Sequence, residues 1–329
     1  MSYTFRATLP ALCLSLILPC ALPVMAADPA PAKDPAPAPA AVERQPLVER
    51  SQEDAAALQR QLPQQEQQQL VAGTDSFLAL WKPANIDQPK GTVIIVPGTG
   101  ESADWPQAVG PLRRKFPDDG WASLSLTLPD VINDGSLPRI EDKPVEPVKD
   151  AAPAKDAKNA TSVKAPEPEK TAEAEAAESV ARAAAAEEQA KAQAERIFAR
   201  IDSAIAYAQQ QKSHGIVLLG HGSGAYWAAR YLNEHPSPTV QKLVLVAAQE
   251  PRDAKPRLDE MAPLLKVKTA DFVNKDMALN AQAAQQRLQA SKRAKNAGYK
   301  QIALTAIPGN DSAEQEQMFR RVRGWLEAK

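Results

Sequence analysis

Three short runs of unbroken apolar residues limit what this chain can fold into: TVIIV at 92–96, IVLLG at 216–220 and KLVLVAA at 242–248. Strands with one wetted face alternate apolar and polar residues. An unbroken run instead reads as a strand covered on both faces, as in a parallel sheet. Weaker strand patterns fall at 77–81, 121–127, 267–273 and 301–307. Helical spacing appears between them, with Ile197, Ile201, Ile205 and Ala208 on one stripe and Met318, Val322, Trp325 and Leu326 on another. Further helices are predicted at 105–116 and 225–234, and at 276–298 with Asp276 as cap. A last helix starts near Asn310, where Ser312 and Gln315 fit a capping box. Strands alternating with helices predict an α/β fold with a mostly parallel sheet flanked by helices.

Much of the 329-residue chain cannot join that core. Residues 1–26 carry Arg6, then an apolar stretch broken by Pro10, Pro19 and Pro23, then Val24-Met25-Ala26. This reads as a secretory signal cleaved after Ala26, too short and too interrupted to span a bilayer. The mature protein is therefore expected in the periplasm. Cys20 follows Pro19, where lipid attachment needs a small residue. Both cysteines, Cys13 and Cys20, lie inside the signal, so the mature chain has no disulfide, thiol nucleophile or cysteine–zinc site.

Residues 27–73 read as a tether, Ala/Pro-rich and then Gln-rich, with weak helix interrupted by Pro63 and folded structure starting near Asp75. Residues 141–195 read as an insertion: a Pro/Lys/Glu/Ala tract without periodicity, then an alanine-rich helix lacking an apolar stripe. Loop closure entropy grows slowly with length, so such an insertion is tolerated. Residues 74–140 and 196–329 remain for one α/β domain.

Charge excludes one class of partner. With 39 basic and 40 acidic side chains there is no field to gather nucleic acid. His214, His221 and His235 are scattered, with no carboxylate cluster to make a zinc signature, and no metal or cofactor is expected. The basic group at 292–295 reads as a solvated helix end. Trp105, Trp121 and Trp325 read as core or rim aromatics, Trp105 being a candidate pocket wall.

Active sites of open α/β sheets lie at the carboxyl ends of strands, and the most pointed sequence there is GHGSGA at 220–225. One reading is a nucleophile elbow, whose tightness demands small residues two before and two after the tip. Ser223 at the tip puts bulky His221 at minus two; the frame set by Gly220 and Gly224 puts Gly222 there, without a side chain. A second reading is a dinucleotide fingerprint of Gly220, Gly222 and Ala225, with Glu250 ending the next strand at a spacing longer than the usual ~20 residues. In a third, the glycines only let a helix pack closely on a sheet.

The PGTGES run at 97–102, GWASLSLTLP at 120–129, IVLLGHGSGA at 216–225, KLVLVAA and the terminal RVRGWL resemble, in this order, the α/β-hydrolase superfamily. Within it they are similar to a family of exported proteins of Gram-negative bacteria with the same glycine-rich elbow. The resemblance implies an oxyanion loop at Gly98, Thr99 and Gly100, a nucleophile position at Gly222, and an acid at Asp271 or, second, Asp276. It implies a base histidine near 308–311, where the sequence has none. A serine needs an adjacent base to become nucleophilic.

The expected protein is thus exported, without the Ser-His-Asp triad, and binds a small molecule or an envelope protein. Backbone donors at Gly98–Gly100 and around His221, Gly222 and Ser223 would be the ligand seat. One alternative is a weak esterase or amidase using Ser223 with Asp271; another is a scaffold acting through the low-complexity segments.

Overall fold

The computed structural model describes residues 49–131 and 172–328, apart from 275 and 277. The expected signal, the tether up to residue 48 and the insertion from 141 to 171 lie outside the described residues. Eight strands form one sheet: β1 (Gln67–Ala72), β2 (Asp75–Lys82), β3 (Gly91–Val96), β4 (Trp121–Leu126), β5 (Ile216–His221), β6 (Val240–Val246), β7 (Lys268–Asn274) and β8 (Tyr299–Leu304). Their spatial order is β1-β2-β4-β3-β5-β6-β7-β8. β2 runs antiparallel to β1 and to β4, and the remaining pairs are parallel.

The apolar runs are strands because both of their faces are covered. Ile94, Val96, Leu218, Leu243 and Leu245 enter one apolar cluster with α3 (Ala172–Gln210) and α4 (Ser223–Glu234). Val93, Ile95, Val217, Leu219 and Val244 enter the other, with α2 (Val109–Lys115) and α7 (Asp311–Glu327). Alternate residues of each strand serve opposite layers, which is the period of two expected of pleated backbone. The α/β fold with a mostly parallel sheet and flanking helices is therefore present as predicted. Trp105, Trp121 and Trp325 belong to the second cluster. Among the described residues, no helix is long and apolar enough to cross a membrane.

Several elements depart from expectation. Ordered structure precedes Asp75: α1 (Arg50–Gln61) and β1 occupy the Gln-rich stretch. β1 is an edge strand burying only Leu70 and Ala72, so its sequence lacks an apolar signature. The alanine-rich helix does not stop at 195, because α3 runs without a break into the core, where Ile197, Phe198, Ile201 and Ala204 are buried. The final helix is capped by Asn310, which accepts from Ala313 N at 3.0 Å, not by Ser312. The Asp276 carboxylate accepts from Ala306 N at 2.8 Å, and α6 (Ala278–Arg293) begins two residues later.

Candidate functional site

The turn after β5 is an elbow whose frame is set by Gly220 and Gly224. A Cβ on Gly220 would lie 2.4 Å from Ala225 Cα, and one on Gly224 would lie 2.2 Å from Val96 O. Between them Gly222 takes φ 56° and ψ −126°, a left-handed conformation that side chains rarely adopt. The turn is pinned from β6, since Gly222 N donates to Val246 O at 3.0 Å, and Gln249 N donates to Gly222 O at 3.0 Å. The strained tip is therefore Gly222, and Ser223 is the first residue of α4.

The loop after β3 closes over this tip. Thr99 N donates to Ser223 Oγ at 2.7 Å, and the Thr99 hydroxyl lies 2.8 Å from the same oxygen. His221 Nδ1 lies 2.8 and 2.9 Å from the two carboxylate oxygens of Glu101. Glu101 Oε2 also accepts from Gly98 N at 2.7 Å, while Glu101 N donates to Gly98 O at 3.0 Å. This reciprocal arrangement has the logic of a capping box. A Cβ on Gly222 would stand 3.6 Å from Glu101 Oε1, so this carboxylate sits in front of the elbow tip.

The structure thus brings Gly98, Thr99, His221, Gly222 and Ser223 together, with Gly100 on the rim, where its carbonyl accepts from Arg50 Nη1 at 2.9 Å. The Gly98 and Thr99 N–H groups, expected to be open donors, are both taken by side chains of the chain itself. Glu101 organises the site and was not singled out in the sequence. Its signal was the three-residue return from Gly98 within PGTGES.

Asp271 is not brought to the elbow. Fully buried within β7, it accepts from Arg287 Nε at 2.9 Å and from the Tyr299 hydroxyl at 2.5 Å. Burial, and then the Asp271 charge, push the Tyr299 phenol far up. Burial would lower the Arg287 pKa, but the Asp271 carboxylate raises it on balance. The pair is a structural ion pair. His221 faces Glu101, not Ser223, and His235 packs edge-on against Phe198 and Tyr231. Among the described residues, no imidazole bonds Ser223 and no group of His, Cys, Asp and Glu could hold a metal ion. Glu250, the dinucleotide candidate, accepts from Leu258 N at 2.9 Å.

A cavity of about 600 Å³ opens beside the elbow loop, within the range of small-molecule sites. α1 roofs it with Arg50, Asp54 and Leu58, and Leu128, Asp130 and Trp227 supply other walls. Arg50 lies 3.4 Å from Asp54, and Ser51 N donates to Asp130 Oδ2 at 3.0 Å. Thr127 and Gln193, also in the walls, each carry one buried oxygen without a hydrogen-bond partner among the described residues.

No curated protein matches the chain. Among solved structures, a putative dienelactone hydrolase from Klebsiella pneumoniae aligns with a TM-score of 0.51 at 13% identity, covering 80% of this chain and 98% of that one. The esterase Pf2001 from Pyrococcus furiosus aligns at 0.50 and 11% identity, covering 79% and 89%. At such identities the likeness is one of fold, and the fold is that of the α/β hydrolases. The family model described as Protein of unknown function (DUF3530) matches residues 9–328, and the chain belongs to that family.

Proposed function

We propose that this chain is an exported protein of the bacterial envelope that uses an α/β-hydrolase fold to bind a small molecule at the elbow cavity, without ester or amide hydrolysis. The observation that carries the reading is Gly222 at the strained tip, where a nucleophile would stand. Two others support it. Among the described residues, Ser223 Oγ is held by Thr99 alone, with no base hydrogen-bonded to it, and the Glu101 carboxylate stands against the tip and the Gly98 N–H. Export rests on the features of residues 1–26.

The decisive experiment treats the purified protein with a fluorophosphonate probe and maps adducts by mass spectrometry. No serine adduct is expected, and labelling of Ser223 would overturn the reading in favour of an esterase. Ligand-dependent thermal shifts across a panel of envelope metabolites, diminished in Trp227→Ala, are the positive counterpart. For export, the periplasmic fraction of expressing cells should contain a chain beginning at Ala27; a cytoplasmic chain beginning at Met1 would refute it.

A further inference from the structure

A second cavity, of about 460 Å³, lies along a neighbouring face of α1 and shares Ser51, Ala55 and Thr127 with the first. Its walls are polar: Gln52 and Gln59 from α1, Ser76 from the β1–β2 hairpin, Arg196 and Arg200 from α3, and the carboxylates of Glu49 and Asp75. Arg200 is only 7% exposed. Its Nη1 donates to Thr127 O at 2.6 Å, and its guanidinium carbon lies 4.9 Å from the centre of the Phe77 ring. Among the described residues, no carboxylate lies within 4.0 Å of it.

Buried charges are normally paired, because the desolvation of an ion costs several kcal/mol. The nearby carboxylates face Arg196 instead: Glu49 at 3.3 Å and Asp75 at 3.8 Å, respectively 38% and 49% exposed. Burial, then the like charge of Arg196, push the Arg200 pKa down to about 10 against the longer-range pull of Asp75, Glu49 and Asp130. Among the described residues, a cation so placed lacks a counter-ion of its own, and Thr127 beside it has an unpartnered hydroxyl.

We propose that this cavity is an oxyanion site in which Arg200, aided by Arg196, binds the carboxylate or phosphate of a small hydroxylated molecule. Guanidinium forks match either group bidentately. The surrounding carboxamides and hydroxyls suit hydroxyl groups on the ligand's body and disfavour an apolar one. Glu49 competes with the ligand for Arg196. This site is independent of the elbow, so the fluorophosphonate outcome leaves it untouched.

The test is calorimetric titration of the full mature chain at low ionic strength with inorganic phosphate, glycerol phosphate and gluconate as separate probes. Saturable binding is expected for glycerol phosphate or for gluconate, whichever head group the site prefers, and more tightly than for inorganic phosphate. Arg200→Gln should weaken it by about tenfold or more, whereas Glu49→Gln, by freeing Arg196, should tighten it. Should Arg200→Gln fail to fold by circular dichroism, Arg200→Lys keeps the charge, loses the fork and should still weaken binding. Absence of saturable binding, unchanged affinity in the folded Arg200 variant, or weaker binding in Glu49→Gln would each overturn the proposal.

Discussion

At the scale of single residues, position along the elbow decides chemistry more than residue type does. Ser223 is one residue past the tip, and its oxygen bonds Thr99. Replacing Gly222 with serine puts a hydroxyl at the tip against Glu101 and costs about 1–3 kcal/mol of backbone strain, while the neighbouring His221 has its Nδ1 on Glu101. Hydrolysis of p-nitrophenyl acetate by Gly222→Ser is therefore expected to stay at the level of the unaltered protein, and turnover well above it would show that Glu101 serves the new hydroxyl as a base. Asp271 gives the opposite kind of prediction. Asp271→Ala strands Arg287 as an unpaired buried cation, and the expected loss is about 3–5 kcal/mol in urea unfolding. Esterase assays cannot substitute for that measurement, because Asp271 serves the fold.

At the scale of elements, one carboxylate adds to the contacts that fasten the α1–β1 layer. Glu66, just before β1, accepts from Lys82 Nζ and from Arg113 Nη1, both at 2.6 Å. Arg113 is 1% exposed and also bonds Asp104 at 3.0 and 3.1 Å. Burial alone would raise the Glu66 pKa, but the bonds from Lys82 and Arg113 outweigh it and hold it below 4.5. A carboxylate depressed on folding adds stability above its unfolded pKa, and that stability is lost as pH falls through the folded value. Urea midpoints should therefore drop below about pH 4.5 in the unaltered protein and drop less in Glu66→Gln, which should be weaker by about 1–3 kcal/mol at pH 7. Equal acid sensitivity in the two proteins would count against Glu66 as the fastening group. The same layer was the least legible in sequence. β1 is an edge strand built largely of glutamine, so its pairing with β2 left no apolar pattern to read.

At the scale of the whole molecule, a low-complexity stretch is spliced between β4 and the long helix α3. Closure entropy rises only slowly with loop length, so deleting residues 141–170 should move the thermal midpoint by no more than about 3 °C. A large drop would mean that the stretch packs on the core. The parallel sheet was legible because central strands buried on two faces must be apolar throughout, as TVIIV and IVLLG are. Two elbow frames were legible, and the close approaches at Gly220 and Gly224 select the one they set. What remained hidden depended on groups far apart in the chain. Glu101 reaches His221 across 120 positions, Thr99 reaches Ser223 across 124, and Arg200 is set in a cavity wall built with α1 and the β1–β2 hairpin. Sequence by itself determined the layering and narrowed the tip to Gly222 or Ser223, because backbone sterics and burial act locally. Only the tertiary structure decided which donors are already taken and which buried cation has no adjacent carboxylate among the described residues, because hydrogen bonds and charges are satisfied in space.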